Sequence, residues 1–188
     1  MSKSRRTALV TGSGRNIGRA AALALAAQGA NVVLNGSSNQ AACDAVADEA
    51  RTLGVDALVA MGNVGSLDDL AKITDAALSA FGRVDILVNN AAVRPTSPFL
   101  ETDEDEWACI LDIDFHSARR LAKNLLPGMI ENGWGRIINF AGMNAIHGYN
   151  GRAPVSVSKH ASWGLTKSLA KEFGAKVVTA NIISPGPI

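Results

Sequence analysis

Three side chains that can exchange a proton lie close together in the last third of the sequence. Lys159 stands in the stretch PVSVSKHASWG, which has the character of a helix start, and His147 and Tyr149 occur in the preceding loop, NAIHGYNGRAP. An imidazole, a phenol and an ammonium group suit general acid–base chemistry. A position on the loop surface is the alternative interpretation for His147 and Tyr149. Whether the loop folds toward Lys159 decides between the two interpretations.

A glycine-rich turn near the start of the chain indicates a different chemistry. In TGSGRNIGRAAALALA, Gly12, Gly14 and Gly18 lie between an apolar run and an alanine-rich helix. Glycines let the backbone turn tightly and approach a pyrophosphate, whose charge is stabilised by the N–H groups and dipole of the following helix. A purely structural turn is the alternative, but the position between a strand and a helix favours dinucleotide binding.

The elements that must position these residues alternate along the chain. The short β-branched runs are TALVT, NVVLNG, DALVAMGNV, VDILVNNA, GRIINFAG and VVTANIISP. Stretches of helical period, such as GRAAALALAAQG and LDDLAKITDAALSAFG, separate them. Strands that are apolar on both faces predict a parallel sheet with helices on each side. We therefore predict an α/β fold, a Rossmann-like doubly wound sheet of at least six strands, in a single domain over residues 1–188, with ligands at the carboxyl ends of the strands.

A series of motifs in the same order resembles the short-chain dehydrogenase/reductase family. TGSGRNIG resembles its T-G-x-x-x-G-x-G, NNAA its N-N-A-G, GRIINFAG its G-R-I-I-N-x-S-S, SVSK the end of its Y-x-A-S-K, and SPGPI its P-G loop. Two departures are Asn16 at the middle glycine of the turn and Ala92 at the last position of N-N-A-G. Because asparagine tolerates left-handed backbone conformations, we expect the turn to stay intact.

The resemblance implies that the chain binds a nicotinamide dinucleotide. Relatives that use NAD usually carry an acidic residue after the second strand, whereas Asn35, Ser37 and Ser38 are neutral here and Arg15 lies in the glycine-rich turn. NADP is therefore favoured over NAD. For Asn63, a cap at a strand end is the alternative role. The implied cofactor-binding residues are Gly12, Ser13, Arg15, Asn16, Ile17, Gly18, Ser37, Asn63, Val64, Asn89, Ala91, Lys159, Pro185, Gly186 and Ile188.

The family's catalytic positions are largely vacated. In the family mechanism a serine polarises the substrate oxygen, a tyrosine exchanges its proton, a lysine lowers the pKa of the tyrosine, and an asparagine anchors a relay water. Tyrosine and lysine stand four residues apart because such positions share one helix face. Lys159 is retained, but the tyrosine, serine and asparagine positions hold Val155, Gly142 and Asp114. The resemblance thus implies hydride transfer between NADP(H) and a carbonyl or alcohol substrate at a degraded site, or else a non-catalytic dinucleotide-binding sensor or partner subunit.

The candidate catalytic residues are then Lys159, Asp114, Tyr149 and His147. Asp114 could form an ion pair with Lys159 inside the site, and Tyr149 or His147 could replace the missing proton donor. Losing a positioned general acid costs on the order of 10²–10⁴ in rate. Efficient turnover by the usual family mechanism is therefore not expected.

The composition limits the classes of partner. The 188 residues are 47% hydrophobic and 19% charged, with a net charge of +1 and no cluster of basic residues. A nucleic-acid partner is therefore not expected. The longest apolar run, AAALALAA, is far shorter than the roughly 20 residues of a membrane span, and the basic N-terminus is not followed by an export signal. The sequence predicts no membrane segment and a cytoplasmic location.

Helices beginning near Glu104 and Pro154 correspond to those that form a four-helix subunit contact in relatives, which implies a homodimer or homotetramer. Apolar area there would come from Trp107, Phe115, Trp163 and Leu165.

Two features of the sequence carry no chemistry. Cys43 and Cys109 lack metal or redox spacing and are interpreted as buried thiols in helices, and no metal site is expected. The sequence stops at Ile188, immediately after the P-G loop. Relatives continue with another strand and substrate-covering helices, which we expect to be missing here.

Overall fold

Six strands and seven α-helices alternate as the sequence predicts, in a computed structural model that describes residues 5–186. The strands are β1 (Thr7–Val10), β2 (Asn31–Leu34), β3 (Ala57–Val59), β4 (Ile86–Asn89), β5 (Gly135–Phe140) and β6 (Val178–Ile183). The helices are α1 (Asn16–Ala27), α2 (Gln40–Thr52), α3 (Leu67–Phe81), α4 (Glu104–Leu111), α5 (Ser117–Glu131), α6 (Asn144–His147) and α7 (Ala153–Phe173). A π-helical turn, Asp112–His116, joins α4 to α5, and a 3₁₀ turn, Gly174–Lys176, precedes β6.

The strands form one parallel sheet in the order β3-β2-β1-β4-β5-β6. The order changes direction between β1 and β4, so the connections leaving these two strands diverge and open a crevice at their carboxyl ends. This arrangement confirms the predicted Rossmann-like fold and fixes the edge of the sheet where a ligand would bind.

The core lies on both faces of the sheet because successive strand side chains point to opposite sides. Ala8 and Val10 of β1 pack with α1 and α2 on one face. Leu9 of β1 and Val33 of β2 pack with α3, α5 and α7 on the other. All eight residues of β1 and β2 are buried, so both faces of these strands are covered, as the continuous apolar runs predict.

The two thiols differ in exposure. Cys43 is buried in α2, as expected, but Cys109 is exposed, so the interpretation of both as buried thiols is wrong for Cys109. The reason is that α4 is short and buries Ile110 alone among its eight residues. Within residues 5–186, no helix is both long enough and apolar enough to cross a membrane.

Candidate functional site

The glycine-rich turn between β1 and α1 leaves no room for added side chains. A Cβ on Gly18 would lie 2.2 Å from the carbonyl oxygen of Gly12, and a Cβ on Gly12 would lie 3.0 Å from the Cα of Ala91. Gly12 has φ +62°, and Asn16 has φ +49°. Asn16 thus adopts the left-handed conformation expected of it, and the turn is intact without its middle glycine.

Asn90, which the sequence analysis did not single out, ties this turn to the end of β4. Its Nδ2 donates to the carbonyl oxygens of Thr11 and Gly12 at 2.9 and 3.0 Å. In return, the hydroxyl oxygen of Thr11 accepts from the backbone N–H groups of Asn90 and Ala91, both at 3.0 Å. The two sides of the crevice are therefore held together by side-chain bonds rather than by the sheet alone.

The first turn of α1 offers unfilled donors. Arg15 stands at its cap position without a side-chain cap bond, and the turn contains no acidic residue. In contrast, α2, α3 and α4 are capped by Asn39, Ser66 and Asp103. Free backbone N–H groups and the positive end of the helix dipole favour an anion at this point. The turn therefore fits the pyrophosphate of a dinucleotide.

The end of β2 lies against the same turn. A Cβ on Gly14 or on Gly36 would come within 3.3 or 2.8 Å of Cys43 Sγ, so one thiol contacts both glycines. Arg15 and Ser37, the next residues along the two segments, are exposed beside this contact. Burial raises the pKa of the Cys43 thiol, which favours a packing role.

Several residues named from the sequence are engaged within the fold. Ser13 is buried, and its N–H and hydroxyl donate to the carbonyl oxygen of Asn35 at 2.8 and 3.2 Å. Asn63 Oδ1 accepts from the N–H of Gly65 at 3.0 Å, within the turn that leads into α3. Val64 is buried. The side chains of Ser13 and Asn63 therefore hold loops in place.

A chain of polar side chains runs beneath the carboxyl ends of β4 and β5. Asn89 Nδ2 donates to Asn139 Oδ1, and Asn139 Nδ2 donates to Thr166 Oγ1, both at 2.8 Å. Asn89 Oδ1 is buried and has no hydrogen-bond partner among residues 5–186. A buried acceptor without a donor normally finds one in a ligand or water. Asn89 therefore fits a hydroxyl donor such as a cofactor ribose.

The π-helical turn directs Asp114 toward α7. Asp114 Oδ2 lies 3.1 Å from Lys159 Nζ, without the alignment of a hydrogen bond, and Oδ1 accepts from the N–H of Val93 at 2.8 Å. The side chains of Asp114 and Lys159 are 0% and 5% exposed. The ion pair hypothesised from the sequence is present. Such π-helical turns occur often at functional sites.

Burial raises the pKa of the Asp114 carboxyl, while the Lys159 ammonium, the Val93 N–H and the Arg94 guanidinium act in the opposite direction. Burial has the larger effect, so the buried carboxylate is costly even with its partner.

The two positions vacated relative to the family lie beside Lys159. Val155 is one turn earlier on α7 and is 1% exposed. Gly142 has φ +105°, a conformation that side chains disfavour, although a Cβ there would meet no atom within 4 Å. The β5 loop is therefore shaped for glycine at this position.

A cavity of about 220 Å³ opens at this point. Its lining residues are Arg94, Ala141, Gly142, Met143, Asn144, Tyr149, Arg152, Val155, Lys159, Pro185 and Gly186. The structure thus brings Tyr149 and Lys159 to one cavity. His147 is exposed and is not part of the lining. Pro185 and Gly186 of the P-G loop also line the cavity, and Ile188 lies outside the described residues.

Sequence reasoning missed three polar lining residues, Arg94, Asn144 and Arg152. Arg94 is the second residue after NNAA, in the loop that follows β4, and Arg152 immediately precedes α7. Their positions after a strand and before the lysine helix were the available signal.

The family model described as short chain dehydrogenase matches residues 6–188. Among curated proteins, the 3-oxoacyl-[acyl-carrier-protein] reductase of a Synechocystis strain is 36% identical over 179 residues, covering 95% of this chain and 72% of the relative. The acetoacetyl-CoA reductase of Cupriavidus necator is 33% identical over 183 residues, covering 97% and 74%.

Solved structures of dehydrogenases share the fold of this chain. An acetoin dehydrogenase from Enterobacter cloacae superposes with a TM-score of 0.94 at 29% identity, over 99% of this chain and 74% of that one. A protein described as an NAD(P)-dependent gluconate 5-dehydrogenase from Beutenbergia cavernae, with NADP bound at low occupancy, superposes with a TM-score of 0.89 at 35% identity, over 98% and 73%.

Proposed function

The chain belongs to the short-chain dehydrogenase family, and from that premise we propose that it is an NADP(H)-dependent oxidoreductase that interconverts a carbonyl and an alcohol. The observation that carries this proposal is that Tyr149 and Lys159 line one cavity at the carboxyl end of β5. When bound there, the nicotinamide supplies or accepts a hydride. The protein's own residues must then move one proton and stabilise charge on the substrate oxygen.

Tyr149 is the proposed proton donor. Its phenol is 49% exposed on the loop between α6 and α7. In reduction, the phenol O–H gives its proton to the substrate oxygen, and in oxidation the phenolate takes it back. The Lys159 ammonium lines the same cavity. Asp114 fixes the position of that ammonium.

NADP is proposed over NAD on the charges around the glycine-rich turn. Arg15 is exposed at the start of α1, while the residues after β2 that approach the turn, Gly36 and Ser37, are uncharged. A guanidinium favours a 2′-phosphate, and the absence of a carboxylate in these positions removes the usual repulsion.

A second candidate function is a dinucleotide-binding subunit without turnover. It is supported by Val155 and Gly142, which carry no proton where relatives are expected to carry tyrosine and serine, and by the conformation of Gly142, which disfavours a serine. A chain that binds NADPH but leaves carbonyl compounds unchanged would fit this alternative.

The test is consumption of NADPH in the presence of a panel of ketones, diketones and quinones. Tyr149→Phe should lower kcat by about 10²–10⁴ while leaving the NADPH affinity unchanged. His147→Ala is the matched control, because that side chain is exposed outside the cavity. If Tyr149→Phe turns over as fast as the wild type, the assigned donor is wrong. If NADPH binds but no carbonyl is reduced, the binding-subunit alternative replaces the proposal.

A homodimer or homotetramer and a cytoplasmic location also belong to this proposal. Phe99 and Leu100, beside the start of α4, are 65% and 95% exposed, and Trp107 of α4 packs edge-on against Phe99. Such an apolar surface supports a contact between copies near α4. Light scattering at micromolar concentration that shows a monomer alone would count against it.

A further inference from the structure

The cavity beside Lys159 carries an excess of positive charge. Three of its lining residues, Arg94, Arg152 and Lys159, are basic, and none of those lining residues is acidic. The Lys159 charge is balanced by Asp114 behind it. Neither guanidinium group forms an ion pair within residues 5–186. Arg94 is nevertheless close enough to the Asp114 carboxylate to act on its pKa, whereas no carboxylate is recorded near Arg152 among these residues.

Two loops that are fastened together present these arginines. The N–H of Ser97, in the loop after β4, donates to the carbonyl oxygen of Gly151 at 2.9 Å. Arg152 Nε donates to Thr96 Oγ1 at 3.1 Å, so one edge of this guanidinium is used to orient the group. The terminal Nη donors of Arg152 have no hydrogen-bond acceptor among the described residues. They remain free for a ligand.

The backbone next to Arg94 is held by Asp114. The N–H of the preceding residue, Val93, donates to the buried Asp114 carboxylate at 2.8 Å. The backbone at Arg94 is thus anchored to the same ion pair that fixes Lys159. Because of this anchoring, Arg94 and Lys159 are positioned relative to each other by a single buried carboxylate.

An amide in the cavity adds a further free donor. Asn144 Nδ2 is shielded from solvent and has no hydrogen-bond partner in the described part of the chain. Shielded donors without acceptors are uncommon and are usually satisfied by water or a ligand. Two guanidinium groups that line one cavity favour the binding of an anion there. Together, these observations favour a ligand with a negatively charged hydrogen-bond acceptor.

We propose that the substrate is a small carbonyl or alcohol compound that carries a carboxylate, and that Arg94 and Arg152 bind this carboxylate. This inference rests on the proposed oxidoreductase function, since it names the substrate class for the same cavity. The planar guanidinium fork matches the two oxygens of a carboxylate. The cavity of about 220 Å³ suits a compact acid. Phosphate esters share the oxyanion chemistry and are separated from carboxylates in the test below.

The experiment compares acids with their uncharged esters. Pyruvate, acetoacetate and levulinate place the carbonyl at increasing distances from the carboxylate, and each has a methyl ester of nearly the same shape. Binding of each probe to the protein saturated with NADP⁺ is measured by calorimetry, and turnover is followed separately as NADPH consumption. Dihydroxyacetone phosphate is the phosphate arm. The variants are Arg94→Gln, Arg152→Gln and the double variant, with Arg119→Gln as control because that arginine is exposed on α5 outside the cavity.

At least one acid should bind about tenfold or more tightly than its ester, and each cavity arginine variant should weaken the acid about tenfold while the ester changes less than about twofold. Arg119→Gln and the NADPH affinity should be unaffected. Acid-selective binding without turnover would support this inference and contradict the proposed catalytic function. The inference would be overturned if acid and ester bound equally, or if neither bound. It would also be overturned if only dihydroxyacetone phosphate bound tightly, or if the arginine variants lost affinity for NADPH.

Discussion

Replacing Lys159 with methionine tests the energetics of the buried ion pair. The change keeps the length of the side chain and removes the ammonium, which leaves the Asp114 carboxylate buried with no counter-charge. Removing one partner of a buried pair costs about 3–5 kcal/mol of unfolding free energy. The pH sets an upper bound on this loss of unfolding free energy, because Asp114 can take up a proton instead of staying charged. At pH 7, about three units above the ordinary value of 3.8, protonation costs about 4 kcal/mol at 1.36 kcal/mol per unit.

The sign of the pH dependence follows from the pKa of Asp114, which burial already raises in the folded wild type. A carboxyl with a raised pKa binds its proton more readily in the folded than in the unfolded state. Its ionisation therefore lowers stability at neutral pH, and stability is regained as the pH falls through the raised pKa toward 3.8. Without Lys159 this effect should be larger, and at pH 5 the upper bound on the cost falls below about 2 kcal/mol.

Urea unfolding of Lys159→Met and of the double variant Lys159→Met/Asp114→Asn isolates this cost. The double variant has no carboxylate to bury and should be more stable than the single variant by about 3 kcal/mol at pH 7 and by less than 2 kcal/mol at pH 5. Lys72→Met is the control, because its ammonium is 74% exposed in its pair with Asp69 and its loss should cost less than about 1 kcal/mol. A double variant no more stable than the single one at pH 7, or a gap unchanged at pH 5, would refute the reasoning.

Three further predictions concern the cofactor turn and the vacated positions. NADPH should bind more tightly than NADH in a calorimetric titration, and Arg15→Ala should narrow the difference; equal affinities in the wild type would contradict this. Gly18→Ala should abolish cofactor binding because its Cβ would lie 2.2 Å from a carbonyl oxygen, whereas Gly164→Ala, in open space on α7, should raise stability by about 0.5–1 kcal/mol in the same unfolding assay. Val155→Tyr should increase NADPH-dependent reduction more than Gly142→Ser, whose φ of +105° strains a side chain; a larger gain from the serine would show that the loop relaxes.

The fold was predictable because its signals are local. Leu9 and Val33 alternate with residues buried on the opposite face, and the resulting apolar runs indicate a sheet covered on both sides. The end of β3 was less predictable. The run DALVAMGNV continues to residue 64, but the strand ends at Val59. Beyond it, the N–H groups of Ala60 and Gly62 still donate to the carbonyl oxygens of Leu34 and Gly36, and Asn63 then begins the turn into α3. Edge strands lack a second neighbour, so apolar character does not fix their ends.

The site was predictable where one motif carries the geometry. The four-residue spacing on α7 placed Val155 at the position of the family's proton donor, and the hypothesised ion pair between Asp114 and Lys159 is present. The positive cavity was not predictable in this way. Arg94 and Arg152 come from separate loops, and their convergence depends on bonds between those loops that no periodicity reveals. The conformation of Gly142 is likewise set by how β5 leaves the sheet.

The π-helical turn has a consequence for how this chain tolerates insertions and deletions. It adds about one residue relative to α-helical geometry between α4 and α5, and one residue corresponds to about 100° of rotation around a helix. Deleting a single residue there would restore a regular helix and rotate α5 away from the sheet, moving Leu121 and Leu125 out of the core that they now fill. The same rotation would carry Asp114 away from α7. Insertions or deletions of one residue should therefore not be tolerated at Asp112–His116. The loops on either side of the cavity are not part of a continuous helix, so a change in their length rotates no helix and can alter which ligands the cavity admits.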